Sequence, residues 1–430
     1  MVVRPMKIAI VGTGIAGNVV AHRLAHEHDI TVFEANNYIG GHSNTITVPT
    51  DDGEVNLDTG FLVFNDRTYP NFTKLLDELG VESRESTMSF SVQCPRSGLE
   101  YNGSTLNSLF ARRSNLLRPS FYRMIRDILR FNTESPSLLQ TSNLELSLAE
   151  YLQRGGYSQE FIRQYLIPMG AAIWSAEPEV MEEMPATFFV RFFSNHGLLS
   201  IKDRPVWRVI RGGSRAYVER LVAGHRDRVR LNTPVTSITR RPDKVIVHTR
   251  DMAPESFDCV FLACHSDQAL RMLNDPLASE REILGAIPYQ PNEALLHTDA
   301  SLMPRRKLAW AAWNYRIPET ENPRVAVTYH LNRLQGLDCS TQYFVTLNSG
   351  EHIRQDAVLR KIVYEHPVFT AGSVAAQHRH REINGLNRTY YCGAYWRNGF
   401  HEDGVASAIS ALEHFYDRDG NAQQYLQRAS

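Results

Sequence analysis

The apolar run Met6-Lys7-Ile8-Ala9-Ile10-Val11 leads straight into Gly12-Thr13-Gly14-Ile15-Ala16-Gly17, and no other stretch restricts the fold as tightly. A short run of this kind fits a strand buried on both faces. Val19, Val20, Leu24 and Ala25 then recur at helical spacing, and a second apolar run, Ile30-Thr31-Val32-Phe33, ends at Glu34. Together they predict a β-α-β unit. In such a unit Gly12 permits a tight turn, Gly14 lets the backbone approach a pyrophosphate, and Gly17 lets helix and strand pack closely. Ile15 and Ala16 open the helix, whose free N–H groups and partial positive charge face the phosphates. Glu34 is placed to accept hydrogen bonds from a ribose diol, and its charge would repel a 2′-phosphate, which disfavours NADP. NAD and FAD share this fingerprint, so other residues must decide between them.

Several later stretches bear on that choice. Gly40-Gly41-His42-Ser43 comes soon after Glu34, and Asp58-Thr59-Gly60 follows it. Trp207 to Ser214 carries Gly212-Gly213 ahead of a helical stretch, Val235 opens a strand-like run, and Phe257 to Ala263 reads as a buried strand. Near the C-terminus, Tyr391-Cys392-Gly393 precedes Asp403-Gly404-Val405-Ala406. In these residues the chain resembles the flavin-containing amine oxidase and phytoene desaturase superfamily. As a whole it is most similar to bacterial NAD/FAD-binding, amine oxidase-like proteins of undefined substrate.

The resemblance implies FAD as the cofactor. It also implies an α/β fold in which a Rossmann-type FAD-binding domain, glutathione reductase-like and of the amine oxidase type, is interleaved with an α+β substrate domain. Residues 1–75, 205–275 and 385–430 are expected in the first, and 76–204 and 276–384 in the second. Cofactor contacts are implied at Gly40, Gly41, His42, Ser43 and Gly60, and at Val235, whose backbone would meet the adenine. Gly393 would meet the pyrophosphate, while Asp403, Gly404 and Val405 would open a helix towards the flavin's pyrimidine edge. His42 stands where relatives more often carry arginine.

A flavin needs no protein nucleophile to take a hydride; the protein holds a C–H bond over N5 and excludes water. The resemblance thus implies an FAD-dependent oxidoreductase that takes hydride from an apolar substrate, such as an unsaturated acyl lipid, or from an amine. Amine oxidases of the superfamily keep a lysine on a substrate-domain strand. The corresponding run, Ala294 to Thr298, places His297 near that position, and Lys307 matches it poorly. Tyr395, Trp396, Phe400 and His401 lie between Gly393 and Asp403, where they are expected to wall the substrate face. These four and His297 are the candidate catalytic residues, although His297 alone also fits a polar residue packed on a strand. Two other classes stay open: a flavin-dependent isomerase or mutase without net oxidation, and a non-catalytic nucleotide-binding protein.

Between Phe110 and Phe131 there are six arginines and one acid, Asp127. After Pro119, helical spacing puts Phe121, Met124, Ile125 and Ile128 on one side and Arg123, Arg126 and Arg130 on the other. A basic amphipathic helix could rest on anionic lipid; the same pattern suits a surface helix packed on a core. The whole chain carries Lys+Arg 46 against Asp+Glu 47, a net charge of -1, so no global field calls for nucleic acid. Five scattered cysteines imply no disulfide framework, and the two histidines of Gln377 to His380 lack partners for a zinc set. No window approaches the roughly 18 apolar residues of a membrane span, and no charged-then-apolar leader precedes Met6. The expected location is therefore cytoplasmic, with peripheral contact at the inner membrane face through residues 110–131. The sequence does not indicate the electron acceptor.

Overall fold

The N-terminal unit grows into a sheet of five parallel strands. The structure, a computed structural model, describes residues 5–50, 53–140, 144–200, 204–318 and 324–418. β1 (Lys7–Val11), α1 (Ile15–Leu24) and β2 (Asp29–Phe33) are joined by β3 (Val229–Arg230), β4 (Cys259–Leu262) and β5 (Thr389–Tyr391). The strand order is β3-β2-β1-β4-β5. Both faces are covered, which is why the strands read as unbroken apolar runs. Ile8 and Ile10 pack with α1 and with α2 (His401–Arg418), whereas Ala9 and Val11 face Ile238, Val247 and Phe257. The period-2 alternation of a strand thus feeds two separate cores.

The strand-like runs between residues 228 and 257 belong to two different sheets. Val229 and Arg230 pair in parallel with Val32 and Phe33 and so end the sheet in a very short edge strand. A meander consists of Val235–Arg240, Val245–Thr249 and Glu255–Phe257. Asp258 breaks the last apolar run in two, accepting from the Lys7 N–H at 2.7 Å.

A second sheet has seven strands. In order these are Val358–Pro367, Tyr289–His297, Phe344–Leu347, Val327–His330, Trp313–Arg316, Phe90–Cys94 and Leu99–Asn102. A helical segment that includes Pro119–Glu134 and Ala186–Asn195 packs against it in a third core. No helix among the described residues is long and apolar enough to cross a membrane.

Candidate active site

A cavity of about 1970 Å³ is lined from both sheets and from the helical segment. Its dinucleotide end is built from the β1–α1 turn. Gly12 has φ +103°, and a Cβ there would lie 2.8 Å from the Ala263 carbonyl oxygen. A Cβ at Gly17 would lie 2.0 Å from the Gly12 oxygen, so these two glycines are demanded by the protein's own packing. Gly14 differs: a Cβ there meets nothing within 4 Å and would project into open space beside the first turn of α1. Only a ligand approaching that backbone requires glycine at this position.

Glu34 is buried at the end of β2. Its Oε2 accepts from the Thr13 N–H at 2.9 Å and from the Thr13 hydroxyl, and its Oε1 accepts from Asn36 N and Nδ2 at 2.8 and 2.9 Å. The carboxylate is held rigidly at the wall, and a ribose hydroxyl would share it with Asn36. The His42 Nε2 and the Tyr395 hydroxyl are buried at the cavity without a hydrogen-bond partner in the protein. A backbone cradle at a helix N-terminus, a fixed acid at the ribose distance and unspent polar groups fit FAD.

Gly12, Gly14, Ile15, Ala16, Glu34, Gly40, Gly41, His42, Gly60, Val235 and Gly393 all line the cavity. Gly17, Ser43, Asp403, Gly404 and Val405 stand behind its wall. Gly404 packs on Ile15, where a Cβ would come within 2.6 Å of Ile15 Cγ2. Asp403 does not open the helix, which begins at His401; its Oδ2 accepts from the Phe400 and Asn398 N–H groups at 2.9 and 3.2 Å and so shapes the loop before α2. Burial raises its carboxyl to about 7.

Of the five candidate catalytic residues, Tyr395, Phe400 and His401 line the cavity. His401 stacks on Phe61 at 3.6 Å between centroids, and its Nε2 lies 2.9 Å from Ser43 Oγ and 3.1 Å from the Tyr217 hydroxyl. Burial pushes its pKa down to about 3, so the ring is neutral. Trp396 is not brought to the cavity. The short 3-10 turn Ala394–Trp396 sends successive side chains in different directions, and Trp396 stacks on His380 at 4.1 Å. His297 is not brought there either. Ile362 and Tyr364 line the cavity, and their cross-strand partners Ala294 and Asn292 share that face. His297, an odd number of residues along the strand, falls on the other face, with Nε2 2.7 Å from Thr346 Oγ1.

A sequence model described as flavin containing amine oxidoreductase matches residues 15–319. The chain belongs to that family. Its cofactor is FAD, and the enzyme is an FAD-dependent oxidoreductase. Solved structures share its fold over nearly the full length. A CLA-producing fatty acid isomerase from P. acnes superposes with TM-score 0.67 at 17% identity, covering 96% of this chain and 99% of that one. Cyclohexylamine oxidase from Brevibacterium oxydans IH-35A gives 0.70 at 15% identity, with 97% and 100% covered. Putrescine oxidase bound to putrescine gives 0.65 at 15%, with 96% and 99% covered. No curated protein matches the chain.

The structure adds residues to the oxidoreductase's cavity that sequence reasoning passed over. The His42 ring stacks on Tyr364 at 4.7 Å and meets His366 at 5.4 Å. The Tyr364 hydroxyl is 2.9 Å from Thr59 Oγ1 and accepts from Asn44 Nδ2 at 3.2 Å. Asn292 Nδ2 donates to His366 Nδ1 at 3.0 Å, which leaves Nε2–H as that ring's donor. Burial, reinforced by the neighbouring histidines, lowers both rings; His366 falls to about 4 and His42 well below its ordinary value. The alternation of Ile362, Tyr364 and His366 was the only available signal.

Away from the dinucleotide end the walls are apolar, formed by Leu109, Ile125, Ile128, Met169, Ile173, Phe192, Trp313, Tyr329, Leu347 and Ile362. Glu34 and Glu365 are the only acids among the described lining residues, and Glu365 Oε2 lies 3.4 Å from His265 Nδ1.

Proposed function

We propose that the enzyme removes hydride from a C–H bond of an apolar, acyl-chain substrate held in the inner part of the cavity. The observation that carries this reading is that, among the described residues, the inner apolar walls hold no carboxylate: Glu34 is fixed at the dinucleotide end and Glu365 lies beside His265. A protonated amine buried there would lose its hydration without gaining a counter-charge, at a cost of several kcal/mol. An alkyl chain loses nothing polar and gains roughly 0.8 kcal/mol for each buried methylene.

FAD, when bound, supplies the hydride acceptor. Gly12, Gly14 and the first turn of α1 would hold its pyrophosphate, Glu34 its ribose, and Gly41, His42 and Gly393 would bound the path towards the flavin ring. Neutral His42, His366 and His401 would hydrogen-bond polar edges without adding charge, and Tyr395 and Phe400 would keep water from the reacting carbon. In this reading residues 76–204 and 276–384 form the acyl chamber around the dinucleotide domain. The fatty acid isomerase among the similar structures supports an acyl substrate, and it keeps double-bond migration without net oxidation as the second reading.

The test is anaerobic mixing of purified yellow enzyme with long-chain unsaturated fatty acids, their phospholipids, or primary amines. Bleaching of the flavin band by an acyl lipid and not by amines is expected. Bleaching by amines alone would overturn the proposal. Conversion of the lipid with neither bleaching nor oxygen uptake would select the isomerase reading.

A further inference from the structure

We infer that the rim of the cavity is a docking surface for an anionic lipid bilayer, an inference that rests on the acyl reading above. Eleven large apolar side chains are exposed among the described residues, and five of them fall between residues 106 and 129: Leu106, Leu116, Leu117, Tyr122 and Leu129. Leu117 is 87% exposed and Leu106 78%, values at which a leucine gains nothing from the fold. Two more, Val206 at 50% and Val363 at 59%, come from distant parts of the chain. Leu106, Leu129, Val206 and Val363 also line the cavity, so they mark its mouth. A contiguous exposed patch around an apolar cavity is the signature of a surface that meets another apolar phase.

The helix Pro119–Glu134 carries the patch outward. It buries Phe121, Met124, Asp127 and Phe131. Tyr122, Arg126 and Leu129, at i, i+4 and i+7, form a stripe on the opposite side. Tyr122 and Arg126 continue into a shallow groove with Leu116, Leu117, Pro119 and Arg123. This stripe, apolar at Tyr122 and Leu129 and basic at Arg126, therefore links the groove to the mouth.

Charge selects the occupant. Arg112, Arg113 and Arg118 have no carboxylate within ion-pair distance among the described residues. They donate instead to Ser114 Oγ, the Phe110 carbonyl and the Ser97 carbonyl, in exposed positions. Arg204 and Arg360 stand at the cavity as well. The whole chain is at -1, so this basic cluster is local. Leucines exposed beside unpaired guanidinium groups suit a surface that offers phosphates above hydrocarbon. Nucleic acid offers the phosphates without the apolar phase. Seated this way, the mouth would open onto the acyl region, and a lipid chain could enter without crossing water.

The experiment is co-sedimentation of FAD-loaded enzyme with vesicles of phosphatidylcholine alone or of equimolar phosphatidylcholine and phosphatidylglycerol. Binding is expected only to the anionic vesicles and should weaken at high salt. Leu117→Ser and the double change Arg113→Ser, Arg118→Ser should each lower the partition coefficient roughly tenfold. Neither site lines the cavity, so flavin content and melting temperature should stay at the wild-type values and show that the variants fold. Equal binding to both vesicle types, or no loss in the variants, would overturn the proposal, as would a dimer without lipid that Leu117→Ser dissociates. Bleaching by monomeric acyl substrate without vesicle binding would sink the docking surface alone. Vesicle binding without any acyl turnover would sink the functional reading and leave the docking surface standing.

Discussion

Gly14 and Gly17 belong to one motif, yet they differ in what a side chain would meet. At Gly14 the space beyond Cβ is open, and the residue sits at φ -63°, a value any L-residue adopts. Gly14→Val should therefore fold with apo stability within about 1 kcal/mol of wild type and lose flavin, because the side chain would fill the phosphate approach. At Gly17 the added carbon would strike the Gly12 carbonyl at 2.0 Å. Gly17→Ala should cost about 3 kcal/mol or more and yield little folded protein. Melting curves of apo and FAD-loaded variants, read with the flavin-to-protein absorbance ratio, separate the two. If Gly14→Val keeps its flavin, the pyrophosphate assignment is wrong. Glu34→Ala removes the acceptor that Thr13 and Asn36 both use. Flavin affinity should fall by about tenfold or more, measured by titration of the apoprotein with FAD. The two catalytic candidates that do not line the cavity fall outside it for a common cause. His297 and Trp396 are the right residue types near the right place, and one residue of register or turn carries each to the other side of its element.

At the scale of elements, the β-α-β unit was legible because strand, glycines, helix and acid all lie within one short segment. The helix Pro119–Glu134 was legible only in part. Its arginines fell where spacing put them, but Ile125 and Ile128, expected in the core with Phe121 and Met124, line the cavity. Hydrophobic periodicity reports an apolar arc, and it does not say which part of the arc meets core and which meets ligand space. Long-range pairing was illegible for a different reason. Arg240 ends a strand and Glu280 opens a helix, and either could pass for a surface residue. The structure buries both: Arg240 Nη2 meets Glu280 Oε2 at 2.8 Å, and the Tyr391 hydroxyl donates to Glu280 Oε1 at 2.6 Å. This network ties the meander, the helix Ala278–Gly285 and β5 together. Glu280→Ala would leave the buried Arg240 guanidinium with only the half-exposed Asp275 carboxylate and would take the acceptor from the Tyr391 hydroxyl. It should cost about 3–5 kcal/mol, read as a lower melting temperature of both apo and FAD-loaded protein. A variant as stable as wild type would show that the network contributes nothing to the fold.

For the whole molecule, the cavity and its surrounding cores hold an unusual number of neutral imidazoles, and this fixes the sign of its response to acid. His401 is lowered to about 3, and His196, His225, His297, His366 and His380 to about 4, with burial the leading cause in each. In the unfolded chain such rings take up protons near pH 6.5. Below that value the unfolded state binds more protons than the folded one, so their contribution to stability is intact above about pH 6.5 and is lost as pH falls towards 4. For His366 and His401 the loss is roughly 2 kcal/mol each by about pH 5. Two aspartates act in the opposite sense. Burial raises Asp58 to about 6 and Asp403 to about 7, so the folded state takes up their protons first and gains stability on acidification. By about pH 5 they return roughly 1 and 3 kcal/mol, which cancels the contributions of His366 and His401. Glu402, also raised by burial, adds to this offset, and the other four histidines outnumber it and decide the direction. The melting temperature of the holoenzyme should therefore drop between about pH 7 and pH 5, with the steepest fall below pH 6.5, where the imidazoles outnumber the carboxyls in play. Scanning calorimetry across that range checks it. A melting temperature that rises on acidification would mean that the aspartates dominate and that the imidazoles around the cavity are hydrated in solution.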